Sequence, residues 1–307
     1  MRTGTSLAAA LAALLLGTTA AAPLTRAPAP PAVRGTTARA VRSAPPPPPP
    51  PLLPGHRIVA YYGNPLDPRM GILGQGSPQA MLNALAAQGQ AYQALDPARP
   101  VIDALELVAV VAQAEPGPHG TYRQRMPYRL IRAELALARS RGDLLILDVQ
   151  PGRSPVAAEV QYLEPFLAQP DVELALDPEF DMNRIPGGIP GQEFGTMSAA
   201  SINGAMAVLS RLVQQDHLPP KVLIVHQFLH RMVPDWEDIH PLPGVSFVMD
   251  TDGFGNPALK LANYRRFITD QPVGYGGIKL FYSQDTPLLS PAQVLALTPP
   301  PAVIIYQ

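Results

Sequence analysis

The sequence contains no cysteine, and that excludes disulfides, thiolate metal sites, a cysteine nucleophile and lipid attachment through an N-terminal lipobox. It has almost no charge imbalance. A formal net charge of −1 over 307 residues gives no electrostatic reason to expect nucleic acid or an anionic membrane as partner. The one long apolar run near the start is shorter than the ~20 residues a membrane-spanning helix needs. A Gly-x-Ser-x-Gly elbow is missing, which speaks against a serine hydrolase. No glycine-rich dinucleotide or phosphate loop follows the first strand segment, and that segment lacks the His-x-His pair of amidohydrolase-type metal sites.

What is present begins with the layout of a secretory leader. Arg2 supplies a positive end, Leu7–Leu16 a short apolar core and Ala20-Ala21-Ala22 a small-residue cleavage site. Residues 1–22 are therefore expected to direct export, and the chain to work secreted or in a periplasm. Residues 23–54, rich in Pro and Ala and including the run Pro45–Pro51, are expected to form a disordered, polyproline-like tether. Residues 55–307 remain for one domain, a length typical of a (β/α)8 barrel.

Short β-branched apolar runs alternate with longer amphipathic ones through that domain. Eight segments read as strands: Ile58–Gly63, Leu105–Gln113, Leu144–Gln150, Val172–Glu179, Lys221–Gln227, Val245–Asp252, Gly277–Ser283 and Ala302–Gln307. Helical spacing runs through Pro78–Leu95, Tyr128–Arg141, Pro155–Ala168, Ala199–Gln215 and Pro257–Thr269, with Ser77, Ser154 and Ser198 where N-caps belong. Strand–helix repetition with right-handed crossovers gives a parallel sheet, and eight units close it into a TIM-type α/β barrel.

The C-terminal strand ends carry the chemistry, as they do in barrel enzymes. They bring Tyr61 and Tyr62, Asp148 and Gln150, Asp177 and Glu179, His226, Asp250 and Asp252, Lys279 and Tyr282 toward one face. Side-chain alternation places Asp177 with Glu179, and Asp250 with Asp252, on common faces. Carboxylates converging there repel one another and raise at least one pKa, which suits a general acid. Trp236, the only tryptophan, falls in the irregular Leu229–Leu242 segment where a binding loop is expected, and Phe180 and Phe254 lie beside the carboxylates.

Two carboxylates flanking a sugar bond are the common apparatus of glycoside hydrolysis. The ending Asp177-Pro178-Glu179 resembles the motif of chitinase-like and lysozyme-like barrel glycoside hydrolases. The resemblance implies that Glu179 is the proton donor and that Asp177 orients a substrate N-acetyl group. The aspartates those families carry at alternate upstream positions are Glu173 and Ala175 here, so a direct mechanism with Asp250 or Asp252 as nucleophile or base stays open. The chain is also similar to a group of uncharacterised exported bacterial barrel proteins. It shares Tyr61-Tyr62-Gly63, Asp148-Val149-Gln150-Pro151-Gly152, Asp177-Pro178-Glu179-Phe180 and Met249-Asp250-Thr251-Asp252-Gly253-Phe254-Gly255 with them. That similarity implies the barrel without an activity.

The expectation is a carboxylate glycosidase that needs no cofactor or metal and acts on a cell-envelope or environmental polysaccharide. Tyr61, Tyr62, Asp148, Gln150, His226, Trp236, Lys279 and Tyr282 are its candidate binding residues. Two alternatives compete. In one, His226, Asp148, Asp177, Asp250 and Asp252 hold a hard divalent cation for hydrolysis. In the other, the domain binds a glycan without turnover. A Schiff base on Lys279 is disfavoured, because neighbouring carboxylates hold the amine charged.

Overall fold

The computed structural model describes residues 49–307. The leader expected at 1–22 and nearly all of the tether expected at 23–54 lie outside the described residues. Leu53, at the end of the Pro-rich stretch, already packs into the core at 1% exposure.

Eight parallel strands close a (β/α)8 barrel. In chain order the strands are β1 (Arg57–Gly63), β2 (Val101–Ala112), β3 (Arg123–Arg125), β4 (Leu144–Val149), β5 (Val172–Leu176), β6 (Lys221–Gln227), β7 (Val245–Thr251), β8 (Tyr275–Leu280) and β9 (Val303–Tyr306). Strand β1 pairs with both β9 and β2, which shuts the ring. Short β3 stands outside it, antiparallel to the end of β2. Most barrel strands are buried along their whole length, as strands covered on both faces must be.

The outer layer contains α1 (Pro78–Leu95), α2 (Tyr128–Arg139), α3 (Val156–Leu167), α4 (Ala199–Asp216), α5 (Pro257–Tyr264) and the short α6 (Pro291–Leu295). Ser77 and Ser198 cap α1 and α4 as expected, their hydroxyls accepting from the Ala80 and Ser201 amides. Ser154 does not cap α3. Pro155 occupies the cap position, and the Ser154 hydroxyl donates instead to the buried Glu159 carboxylate. Helix α5 ends sooner than its periodicity suggests and continues as a π-helical turn, Arg265–Thr269. Between β6 and β7 there is no α-helix, only two single 3-10 turns at His230–Met232 and Trp236–Asp238.

Strand β5 stops at Leu176, three residues before the expected Glu179. The Asp177 carboxylate accepts the Glu179 amide at 3.2 Å, and Pro178 opens a 3-10 turn, Pro178–Phe180. Asp plus Pro at this point ends the ladder more strongly than apolar alternation prolongs it.

Candidate functional site

A buried polar network runs across the barrel interior beneath its C-terminal mouth. His226 on β6 is at its centre. Its Nδ1 lies 3.0 Å from Asp250 Oδ2 on neighbouring β7, and its Nε2 lies 3.0 Å from Glu106 Oε1 on β2, across the barrel. Asp252 Oδ2 approaches Nδ1 at 3.9 Å. All of these side chains are buried. Burial alone favours neutral imidazole, but its hydrogen bonds to Asp250 and Glu106 outweigh it and raise the His226 pKa well above its usual range. Both ring N–H groups then donate to carboxylates. Removing ions from water costs several kcal/mol each, so such a network holds only while both donors are matched. Gly277 on β8 makes room for it, since a Cβ there would sit 2.7 Å from Asp250 Oδ1.

Against this network, Tyr62 of β1 donates its hydroxyl to Asp148 Oδ2 of β4 at 3.2 Å. Gln150 Nε2 donates to that hydroxyl at 3.1 Å, while Gln150 Oε1 accepts the Ala112 amide. Lys279 Nζ stands 3.4 Å from the centre of the Tyr62 ring. Desolvation, with Glu106 adding repulsion against His226 and Lys279, moves the Asp148 pKa up to about 6.

Above this floor opens a cavity of about 920 Å³. Asp177, Glu179, Asp252, Lys279, Tyr62 and Gln150 form its polar lining. Phenylalanines form much of the rest. Phe194 and Phe228 meet edge to face at 5.3 Å between ring centres, and Phe254 and Phe281 do so at 5.7 Å. Glu179, half-buried on its 3-10 turn, is more open to this space than the buried Asp177 and Asp252. Desolvation, then repulsion from Asp252, pushes its pKa up to about 7, although Lys279 and His226 act in the opposite sense. Asp177 is driven well above the carboxylate range by burial and by Asp148, Glu179 and Asp252. Burial also raises Asp252. A carboxyl that retains its proton near neutrality, facing a partly apolar cavity with a second carboxyl close by, can donate that proton to a leaving group.

The turn carrying Glu179 is braced from outside. Gly195 donates its amide to the Glu179 carbonyl at 2.6 Å, and Thr196 donates to the Asp181 carbonyl at 2.9 Å. A Cβ on Gly195 would lie 2.5 Å from the Asp181 carbonyl oxygen, so this close crossing of two backbones requires glycine.

Of the expected site residues, the structure brings nine to the barrel mouth and the floor beneath it: Tyr62, Asp148, Gln150, Asp177, Glu179, His226, Asp250, Asp252 and Lys279. Three lie elsewhere. Tyr61 points outward, and its hydroxyl is 3.2 Å from that of Tyr282, which in turn donates to Gln88 of α1. Tyr282 stacks on Tyr306 at 5.1 Å, so both tyrosines belong to the layer between barrel and helix α1. Trp236 is in a loop pinned to α4 through Ala199 N to Asp235 and Asn203 to the Asp238 carbonyl, away from the cavity wall.

Glu106 is the central residue that sequence reasoning missed. Its signal was present as a lone carboxylate inside the apolar run Ala104–Ala112, where a charge has to be paired. Lys260 and Asp285 were also missed. Lys260 on α5 pairs with Asp285 at 3.3 Å and donates to the Gly253 carbonyl, joining the loops after β7 and β8 beside the cavity. Glu106, Asp148 and His226 offer ligand atoms within 4.8 Å of one another, the one metal-like grouping among the described residues.

No protein-family model matches this sequence, and no curated protein matches it. Similar solved structures include the Bacillus subtilis mannanase BCman, 12% identical, with a TM-score of 0.38 over 83% of this chain and 81% of that one. The Bacillus subtilis mannanase man26 is 12% identical with a TM-score of 0.35, over 72% of this chain and 74% of its own. The YdhT protein from Bacillus subtilis is 11% identical with a TM-score of 0.40, over 82% of this chain and 80% of its own. At such identities and scores no site residue is carried over from them.

Proposed function

We propose that this chain is an exported glycoside hydrolase that cleaves a polysaccharide by carboxylate acid–base catalysis, with Glu179 as the proton donor. One observation carries the reading: a half-buried carboxyl with its pKa near 7 faces a cavity large enough for several sugar units and flanked by phenylalanine rings. Apolar sugar faces stack on such rings, while the surrounding polar groups take the hydroxyls. Asp252, which shares the cavity wall, is the partner carboxylate acting as base or nucleophile. Asp250 is fully buried against His226, so its role is to hold that ring. Export rests on the leader-like residues 1–22.

Metal-dependent hydrolysis has one observation in its favour, the Glu106–Asp148–His226 grouping. All three side chains are fully buried below the cavity, and both His226 nitrogens are already engaged by carboxylates. The grouping is thus accounted for as a hydrogen-bond network.

The test is hydrolysis by the whole chain, wild type beside Glu179→Gln. The panel contains chito-oligosaccharides, peptidoglycan fragments, glucans and mannans, with and without EDTA, and products are read by mass spectrometry. Cleavage is expected to be indifferent to EDTA and to fall about 10²–10⁴-fold in the variant. Because the acid must be protonated, wild-type activity should be present below pH 7 and decline as pH rises through about 7. Loss of activity with EDTA, or an undiminished Glu179→Gln rate, would overturn the reading.

A further inference from the structure

The chain has only three lysines, Lys221, Lys260 and Lys279, and all three are buried. An ammonium carries three N–H donors and no acceptor, so burying one calls for oxygen partners. Two of the three have them. Lys221 donates to the carbonyls of Gln169 and Val172. Lys260 donates to those of Gly253 and Lys279 and pairs with Asp285.

Lys279 has none. The residue is 2% exposed, and among the described residues its Nζ makes no hydrogen bond and has no carboxylate within 4.0 Å. The faces of Tyr62 at 3.4 Å and Phe281 at 5.5 Å hold it from the side. Aromatic rings attract a cation but offer no lone pair along its N–H bonds. The side chain lines the cavity, where a ligand's oxygens can supply the partners the protein does not.

A second cation faces the same space. Arg266, on the π-helical turn Arg265–Thr269, lines the cavity wall, is exposed, and has no acidic partner among the described residues. Arg69, also on the wall, is already satisfied by Asp67. Lys279 and Arg266 therefore each present a positive group to one cavity with no carboxylate bonded to it, Asp148, Glu179 and Asp252 acting on Lys279 only from beyond contact distance.

We infer that the cavity takes an acidic glycan, one whose sugar units bear a carboxylate, with Lys279 on the floor binding that carboxylate and Arg266 steering the charged chain in. This rests on the glycan reading above and names its substrate class. A single ammonium on the floor matches a single negative charge, as on a hexuronate. Charge-assisted contacts of this kind are short and strong, and they discriminate against a neutral sugar that leaves the ammonium unpaired. The exposed arginine contributes mainly to capture, and salt screens its contribution.

The experiment measures binding of the whole chain by calorimetry at pH 6. The ligands are uronate oligosaccharides, neutral oligosaccharides of equal length and sulfated oligosaccharides. The proteins are wild type, Lys279→Gln and Arg266→Gln, each checked for folding by circular dichroism. The uronate ligand should bind at least about tenfold tighter than the neutral one, the ratio one charge-assisted hydrogen bond supports. Lys279→Gln should erase that preference. Arg266→Gln, an exposed change that leaves the interior untouched, should weaken uronate binding at low salt and have little effect at high salt.

Equal affinity for uronate and neutral ligands, preference for the sulfated ligand, or an intact preference in Lys279→Gln would overturn the inference. If neutral glycans are bound and cleaved without that preference, the hydrolase stands and the acidic substrate falls. Uronate binding without cleavage of any glycan supports the charge match and removes the hydrolase. If no glycan binds at all, both are refuted.

Discussion

Replacing Glu179 by Gln tests the electrostatics of the site apart from any substrate. Below pH 4.5 the carboxyl is protonated in folded and unfolded chains alike and contributes nothing to the pH dependence. Above 4.5 the unfolded chain ionises, while the folded one, its pKa raised to about 7, keeps its proton. The unfolded state therefore gains, and wild-type stability falls as pH rises from 4.5 through about 7. The interval from 4.5 to about 7, at about 1.36 kcal/mol per pH unit, bounds the loss at about 3.4 kcal/mol. Contact of the carboxyl with cavity solvent lowers this to about 2 kcal/mol. Glutamine does not titrate, so Glu179→Gln should match wild type within error at pH 4 and exceed it by about 2 kcal/mol at pH 8. In a domain of this size that corresponds to a gain of about 4–8 °C in Tm. Urea denaturation of both proteins at pH 4, 6 and 8 gives the three differences. A constant difference across the series would mean that Glu179 ionises normally and is not a desolvated acid.

Two further substitutions probe the frame around it. His226→Leu leaves Glu106 and Asp250 facing each other without a cation and should cost about 3–5 kcal/mol in urea denaturation; a loss under about 1 kcal/mol would contradict the doubly bonded imidazolium. Gly195→Ala forces a methyl against the Asp181 and Pro178 carbonyls. It should cost about 1–3 kcal/mol and, by shifting the Glu179 turn, lower kcat more than it raises KM. A stable variant with unchanged kcat would show that the turn is not braced there.

The barrel was readable because its strands are short, β-branched and buried on both faces. Lys221–Gln227 and Pro78–Leu95 have the bounds that periodicity alone indicates. What failed was parity and context. Tyr61 and Tyr62 are adjacent in a strand, so they cannot both face inward, and the structure sends Tyr61 out toward α1. Asp250 and Asp252, two apart, do share a side, one against His226 and the other on the cavity wall. Glu179 reached the mouth by a different route than alternation, through a 3-10 turn that Asp177 caps. Trp236 illustrates the general limit. Its place depends on hydrogen bonds between its loop and α4, which no local pattern in Leu229–Leu242 encodes.

Because every lysine is inside, the solvent face of the folded domain gets its positive charge from arginine and none from ammonium groups. Amine-directed acylating reagents therefore meet no lysine on the native surface, and lysine modification becomes a report on opening of the barrel. Lys221 and Lys260, bound by main-chain carbonyls, should react only with unfolding. Lys279, reached through the cavity, should react earlier than the other two and be shielded by whatever occupies the site.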